Sequence, residues 1–145
     1  MRINGEWLLF DDGIVRPVIR GEILNSNSLW IAAEFLVDTG ADRTVFSASV
    51  LRALHLQPIT TQEDVGGLGG VVRSVVVETQ IRFSHEEGGN KVVFRGQYTA
   101  VTEIEALETS VLGRDIIGLF ALIVDRPSDV ICLLGQRHRY VIGQQ

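Results

Sequence analysis

One cysteine, three prolines and three histidines are all that this 145-residue chain holds of the residues that most often staple, break or metallate a small fold. The single thiol, Cys132, excludes an intrachain disulfide framework and favours a reducing, cytoplasmic compartment. His55, His85 and His138 lie far apart in the chain with no second cysteine, so no metal-ligand spacing exists and no metal or other cofactor is expected. No uninterrupted apolar run reaches the roughly 18–20 residues of a membrane span. The apolar patch at Trp7 to Phe10 is too short, and too soon followed by Asp11 and Asp12, for a signal peptide. Basic residues are scarce as well: 13 Lys and Arg against 18 Asp and Glu give a net charge of -5. With no basic cluster, neither nucleic acid nor a membrane is expected as a partner.

What is present is apolar and strand-like. A hydrophobic content of 46% with 21% charged residues describes a folded chain, long enough for one domain with its own core. Trp7 to Phe10, the dipeptide Asp12-Gly13, and Ile14 and Val15 predict a small N-terminal hairpin. Val18 to Leu24 and Leu29 to Val37 predict two strands about a polar turn at Asn25 to Ser28. Ser47 is a candidate N-cap for a short packing helix that Pro58 keeps from running on. Thr60 to Asp64 is a polar stretch, after which VGGLGGVV (65–72) carries four glycines around one leucine. A plain hairpin needs fewer, so the excess predicts a mobile flap. Val71 to Phe83 and Lys91 to Val101 predict long strands joined through Gly88, Gly89 and Asn90, with Glu86 and Glu87 at a solvated tip. Glu103, Glu105 and Glu108 form an acidic, solvent-facing connection. VLGRDIIGLF (111–120) accommodates a helical turn or two, and Ala121 to Asp125 with Asp129 to Leu134 closes the chain as a hairpin, before a last apolar patch at Tyr140 to Ile142. About eight or nine short strands and one or two short helices make an all-β barrel or folded sheet, in a single domain over residues 1–145.

The stretch FLVDTGADRTVF (35–46) stands out. An apolar strand that ends by delivering one carboxylate, Asp38, into a tight turn of Thr39 and Gly40 is costly to build unless the acid works. A lone carboxylate is not conveniently both base and acid in one cycle, and amide hydrolysis needs a water deprotonated and a leaving nitrogen protonated. Two carboxylates about 3 Å apart that share a proton divide these roles. Neither Asp115 nor Asp125 repeats the Thr and Gly that follow Asp38, so the partner must come from a second copy across a twofold axis.

Asp38-Thr39-Gly40-Ala41, Gly66-Gly67-Leu68-Gly69-Gly70 and Val111-Leu112-Gly113-Arg114-Asp115 resemble, in order and separation, the three landmarks of the retroviral-type (retropepsin-like) aspartic proteases. ALIVDRPSDVICLLG (121–135) resembles the last hairpin of their cellular members and of each pepsin half. The resemblance spans roughly residues 14–135, leaving the N-terminal hairpin and a C-terminal extension outside the core. It implies a half-pepsin β-barrel active as a symmetric homodimer, needing no cofactor, that hydrolyses peptide bonds of an extended peptide or protein. Catalysis would fall to Asp38, with Thr39 locking the two loops and Gly40 letting its carbonyl approach substrate. Substrate would be bound by Gly40, Ala41, Asp42 and the flap residues Gly67, Leu68 and Gly69, with Arg114 and Gly113 supporting the site and Asp42 facing substrate or pairing with Arg114. Ala41 stands where pepsin-like sites carry a hydroxyl that would donate to the carboxylate, which implies a mildly acidic optimum. The resemblance to cellular members implies a dimer interface built on the hairpin Ala121 to Leu134, with Cys132 near the axis or in the core. The alternative is a catalytically silent dimer of the same fold, acting as a peptide-binding or interaction module.

Overall fold

The computed structural model describes residues 1–67, 70–85 and 89–143. Among the described residues there are two short α-helices and eleven strands, the strands arranged as an eight-stranded sheet, which folds on itself, and a three-stranded sheet. In chain order the strands are β1 (Arg2–Asn4), β2 (Glu6–Leu9), β3 (Val15–Leu24), β4 (Trp30–Val37), β5 (Val45–Phe46), β6 (Thr60–Gly67), β7 (Gly70–Ser84), β8 (Lys91–Val101), β9 (Ser110–Leu112), β10 (Ala121–Asp125) and β11 (Val130–Leu134). Helix α1 (Ala48–Leu54) follows β5 and α2 (Arg114–Ile117) follows β9. The large sheet runs β2-β3-β4-β9-β5-β8-β7-β6, and a further pairing of Glu22 and Ile23 on β3 with Arg82 and Ile81 on β7 folds it into a barrel.

The barrel closes around aromatic rings spaced along the strands at alternating positions. Phe35 lies 6.4 Å from Phe46 and 5.8 Å from Phe83, centroid to centroid, and all three are fully buried. Ile19, Ile23, Val77, Ile81 and Leu112 complete this core without measurable exposure. Val75, Val77 and Ile81 share the inward face of β7, as period-two alternation requires.

Several local expectations are revised. Val15 to Leu24 is one continuous strand; Pro17 sits opposite Trp7, before pairing with β4 begins at Val18, where a missing N–H is tolerated. Ser47 does cap α1, accepting from Val50 N at 3.4 Å, but the helix stops because His55 adopts a left-handed conformation (φ 51°), three residues ahead of Pro58. The polar stretch from Thr60 belongs to β6, whose register slips between Thr60 and Glu63. Val111 and Leu112 are strand, and helix begins only at Arg114. The N-terminal hairpin is β2–β3, turning through Gly13 at φ 81°, whereas β1 leaves it to pair with β11. Cys132 is buried in the resulting β1-β11-β10 sheet, between Asn4 and Ile123. Glu86, Glu87 and Gly88 lie outside the described residues.

Candidate active site

Two parallel strands set the site. β4 and β9 run side by side, Phe35 with Ser110, Leu36 with Val111 and Val37 with Leu112, so they end at the same level. Asp38 N donates to Leu112 O at 3.1 Å, which fixes where β4 releases its acid. The chain then turns tightly: Ala41 N donates to Asp38 O at 3.2 Å, and Gly40 N donates to Asp38 Oδ1 at 3.0 Å. Sequence reasoning expects a buried acid here, but Asp38 is half-buried and Thr39 and Gly40 are exposed, because the turn lifts them beyond the last core residue of the strand.

β9 delivers a second turn against the first. A Cβ on Gly113 would stand 2.3 Å from Arg43 C and 2.4 Å from Arg43 O, so the two backbones meet at a distance only glycine permits. Arg114 N donates to Ala41 O at 2.9 Å and Asp115 N to Asp42 O at 3.2 Å. The Arg114 side chain then reaches across the turn, Nη1 donating to Thr39 O at 2.7 Å and Nη2 pairing with the Asp42 carboxylate. Both Gly113 and Arg114 contact the turn, and the ion pair between Asp42 and Arg114 is present. Both side chains are largely exposed, so the pair orients the loop more than it stabilises the fold.

Thr44 and Asp115 escape sequence reasoning. Asp115 accepts Thr44 N at 2.9 Å on each carboxylate oxygen, Thr44 Oγ1 at 2.7 Å and Ile116 N at 2.9 Å. Thr44 Oγ1 in turn accepts Gly113 N at 3.1 Å. The one local signal is an acid in the first turn of α2, where the helix N–H groups favour negative charge. Its charge is felt nearby: the Tyr98 hydroxyl is pushed up to about 12, mainly by burial and secondarily by Asp115.

The glycine-rich stretch lies on the β6–β7 hairpin. Gly66 pairs with Val71 and Gly67 with Gly70, leaving Leu68 and Gly69, the expected tip, outside the described residues. Among the described residues no group of three or more His, Cys, Asp or Glu is arranged to hold a metal ion, and no helix is long and apolar enough to cross a membrane.

A sequence model described as aspartyl protease matches residues 25–116, well over half of the chain, and the chain belongs to that family. Its fold is that of the retropepsin-like members. The Rickettsia conorii retropepsin-like aspartic protease is similar at a TM-score of 0.56 and 16% identity, over 92% of this chain and 88% of that one. The EIAV protease complexed with the inhibitor HBY-793 is similar at a TM-score of 0.50 and 22% identity, over 77% of this chain and 92% of that one. No curated protein matches the chain.

Proposed function

We propose that the whole chain, residues 1–145, is one retropepsin-like domain that acts as a homodimeric aspartic endopeptidase, with the two Asp38 carboxylates facing each other across a twofold axis. The observation that carries this reading is the state of Asp38: a half-buried carboxylate at a strand end that accepts only the Gly40 N–H among the described residues, in a chain of the aspartyl protease family. An acid so placed keeps lone pairs for a water and a second carboxyl group.

In the dimer, one Asp38 is ionised and takes a proton from the water held between the pair, while the other, protonated, donates to the carbonyl oxygen under attack. The resulting tetrahedral intermediate collapses as the leaving nitrogen is protonated. Thr39, exposed beside Asp38, engages its mate and holds the carboxylates coplanar, and Arg114 keeps Thr39 in place through its carbonyl. Substrate lies extended over Gly40, Ala41 and Asp42, held as an added strand beneath the β6–β7 hairpin, with Gly67, Leu68 and Gly69 as the closing tip.

Support for dimerisation comes from the β1-β11-β10 sheet. Its β10 edge has no further partner among the described strands, and Leu119, Val124 and Val130 beside it are 63%, 48% and 39% exposed. A second copy pairing through this hairpin covers both the edge and the apolar surface. The buried thiol of Cys132 suits a reducing, cytoplasmic setting.

The test is incubation with a diverse peptide mixture from pH 4 to 7, alongside Asp38→Asn, with sedimentation of both proteins. Cleavage by a dimer that is lost in the variant is the expected result. Identical product patterns from both proteins overturn the assignment, and binding of peptides without any cleavage points to the silent interaction module instead.

A further inference from the structure

Strands β10 and β11 are apolar on both faces. In β11, Ile131 and Leu133 point into the core and are buried there with Ile3 of β1. Val130, Cys132 and Leu134 face the other way, and the register sets Ile123 beside Cys132 and Ala121 beside Leu134. On this outer face of the two strands only Asp125 is polar. An antiparallel sheet with one face in water alternates apolar and polar residues, whereas runs such as ALIV (121–124) and VICLL (130–134) belong to strands covered on both sides. Yet Val130 is 39% exposed, and Ala121, Ile123 and Leu134 are only half-buried. The outer face is built to be covered and is covered in part.

The same sheet releases a segment with the matching need. Gly135 N donates to Met1 O at 2.9 Å, and beyond it residues 136–143 are neither helix nor strand and are exposed throughout. Tyr140, Val141 and Ile142 are 64%, 97% and 93% exposed. An aromatic residue followed by two β-branched ones suits a pleated apolar surface, and leaving all three in water forgoes their burial. Arg137 and Arg139 add positive charge to this segment of a molecule whose net charge is -5, and Asp125 lies on the outer face to receive it. Fully extended, eight residues reach about 26 Å, against about 10 Å between the outer strands of a three-stranded sheet. The segment is long enough to pass its own sheet, and Val141 and Ile142 stand clear of it.

We propose that residues 136–143 of each protomer cross the twofold axis and lay Tyr140, Val141 and Ile142 on the outer face of the β10–β11 hairpin of a second copy, so that two exchanged segments lock the dimer. The proposal rests on the homodimer of the proposed function, though not on its chemistry. Antiparallel pairing at the open β10 edges continues the sheet across the axis, which sets the two outer faces side by side and within the span of each segment.

The experiment measures the dimer dissociation constant by sedimentation for the wild type, a chain truncated after Gly135, Val141→Asp, Val130→Asp and the double variant, with thermal unfolding of each at several protein concentrations. Truncation should weaken the dimer by about a hundredfold or more, and Val141→Asp by about tenfold, the worth of buried aliphatic side chains. Val130→Asp should weaken the wild-type dimer but add little once Val141→Asp is present, since both remove one contact. A wild type that never dimerises overturns the proposal, as do additive effects of the two substitutions. Truncation that leaves association unchanged also overturns it, and an equal fall in melting temperature at every concentration would then mean that the segment packs on its own sheet. Peptide cleavage by the same proteins is read separately: a dimer that depends on residues 136–143 but cleaves nothing upholds the exchanged segments while the endopeptidase reading fails.

Discussion

β4 and β9 end side by side, each followed by a turn that carries an aspartate, yet the two acids are used in opposite ways. Asp115 accepts three donors, from Thr44 N, Thr44 Oγ1 and Ile116 N, and ties two turns together. Asp38 accepts one among the described residues, from Gly40 N, although the backbone around it is held just as firmly. A saturated carboxylate supports structure, whereas the one with unused lone pairs on a braced loop is the one proposed for chemistry. The braced loop and the bracing turn form a single unit, in which Asp115 supplies rigidity and Asp38 is the acid proposed to react.

The sharpest way to break this contrast is to remove charge from each acid in turn. Asp38→Asn should lower peptide cleavage by about a hundredfold or more, since it removes the proposed general base, while leaving the melting temperature within a degree or so. A variant that melts much lower would mean that Asp38 also holds the fold and that the division of labour is wrong. Gly113→Ala attacks the junction between the turns. Its new Cβ would fall 2.3 Å from the carbonyl carbon of Arg43, and one of the backbones must yield. The expected cost is about 3 kcal/mol, read as a fall of roughly 6–12 °C in thermal unfolding. Unchanged stability would show that the turns separate easily and that Asp38 is not braced through β9.

Asp115→Ala should cost about 1–3 kcal/mol, because Thr44 N, Thr44 Oγ1 and Ile116 N lose their common acceptor and Thr44 is buried. Asp115→Asn keeps one acceptor oxygen and should recover part of that loss. If both variants unfold like the wild type, the network carries no net stability and Asp115 must be regarded as open to ligand instead.

How much of this pair was legible beforehand follows from range. Asp38 announces itself because its meaning is local: an apolar strand, an acid, a hydroxyl and a glycine are adjacent. Asp115 was visible only as a residue of the third landmark, because its role depends on Thr44, 71 positions earlier, and nothing in either neighbourhood reports the other. The same limit hid the pairing of Arg2 with Leu134, which draws β1 away from its own hairpin into the terminal sheet. The strand pattern of the barrel is readable because buried residues alternate with less buried ones from Val77 to Ser84 of β7, whereas β6 begins with polar residues and reads as a connection. Composition points to Pro58 as the stop of α1, but a left-handed His55 ends the helix three residues earlier.

The smallest expected effect concerns the other carboxylates that are saturated like Asp115. Asp12 is held down to about 2 from 3.8, first by the hydrogen bond from Arg16 and then by Ile14 N, and Glu22 is held below its ordinary 4.5 by Arg82 and then Lys91. Groups lowered on folding contribute stability that is complete above their unfolded values, near pH 4 to 5, and is lost as pH falls through the folded ones. The fold should therefore keep its melting temperature across the mildly acidic range and decline only below about pH 4. Glu22→Gln should lower the plateau by less than about 1 kcal/mol and make the acid limb shallower, because the bridge between β3 and β7 is then no longer titrated. A limb of unchanged steepness would place the acid sensitivity elsewhere. Loss of the fold at pH 5 would mean that chemistry and scaffold fail together, and that the separation seen between Asp38 and Asp115 does not extend to the rest of the barrel.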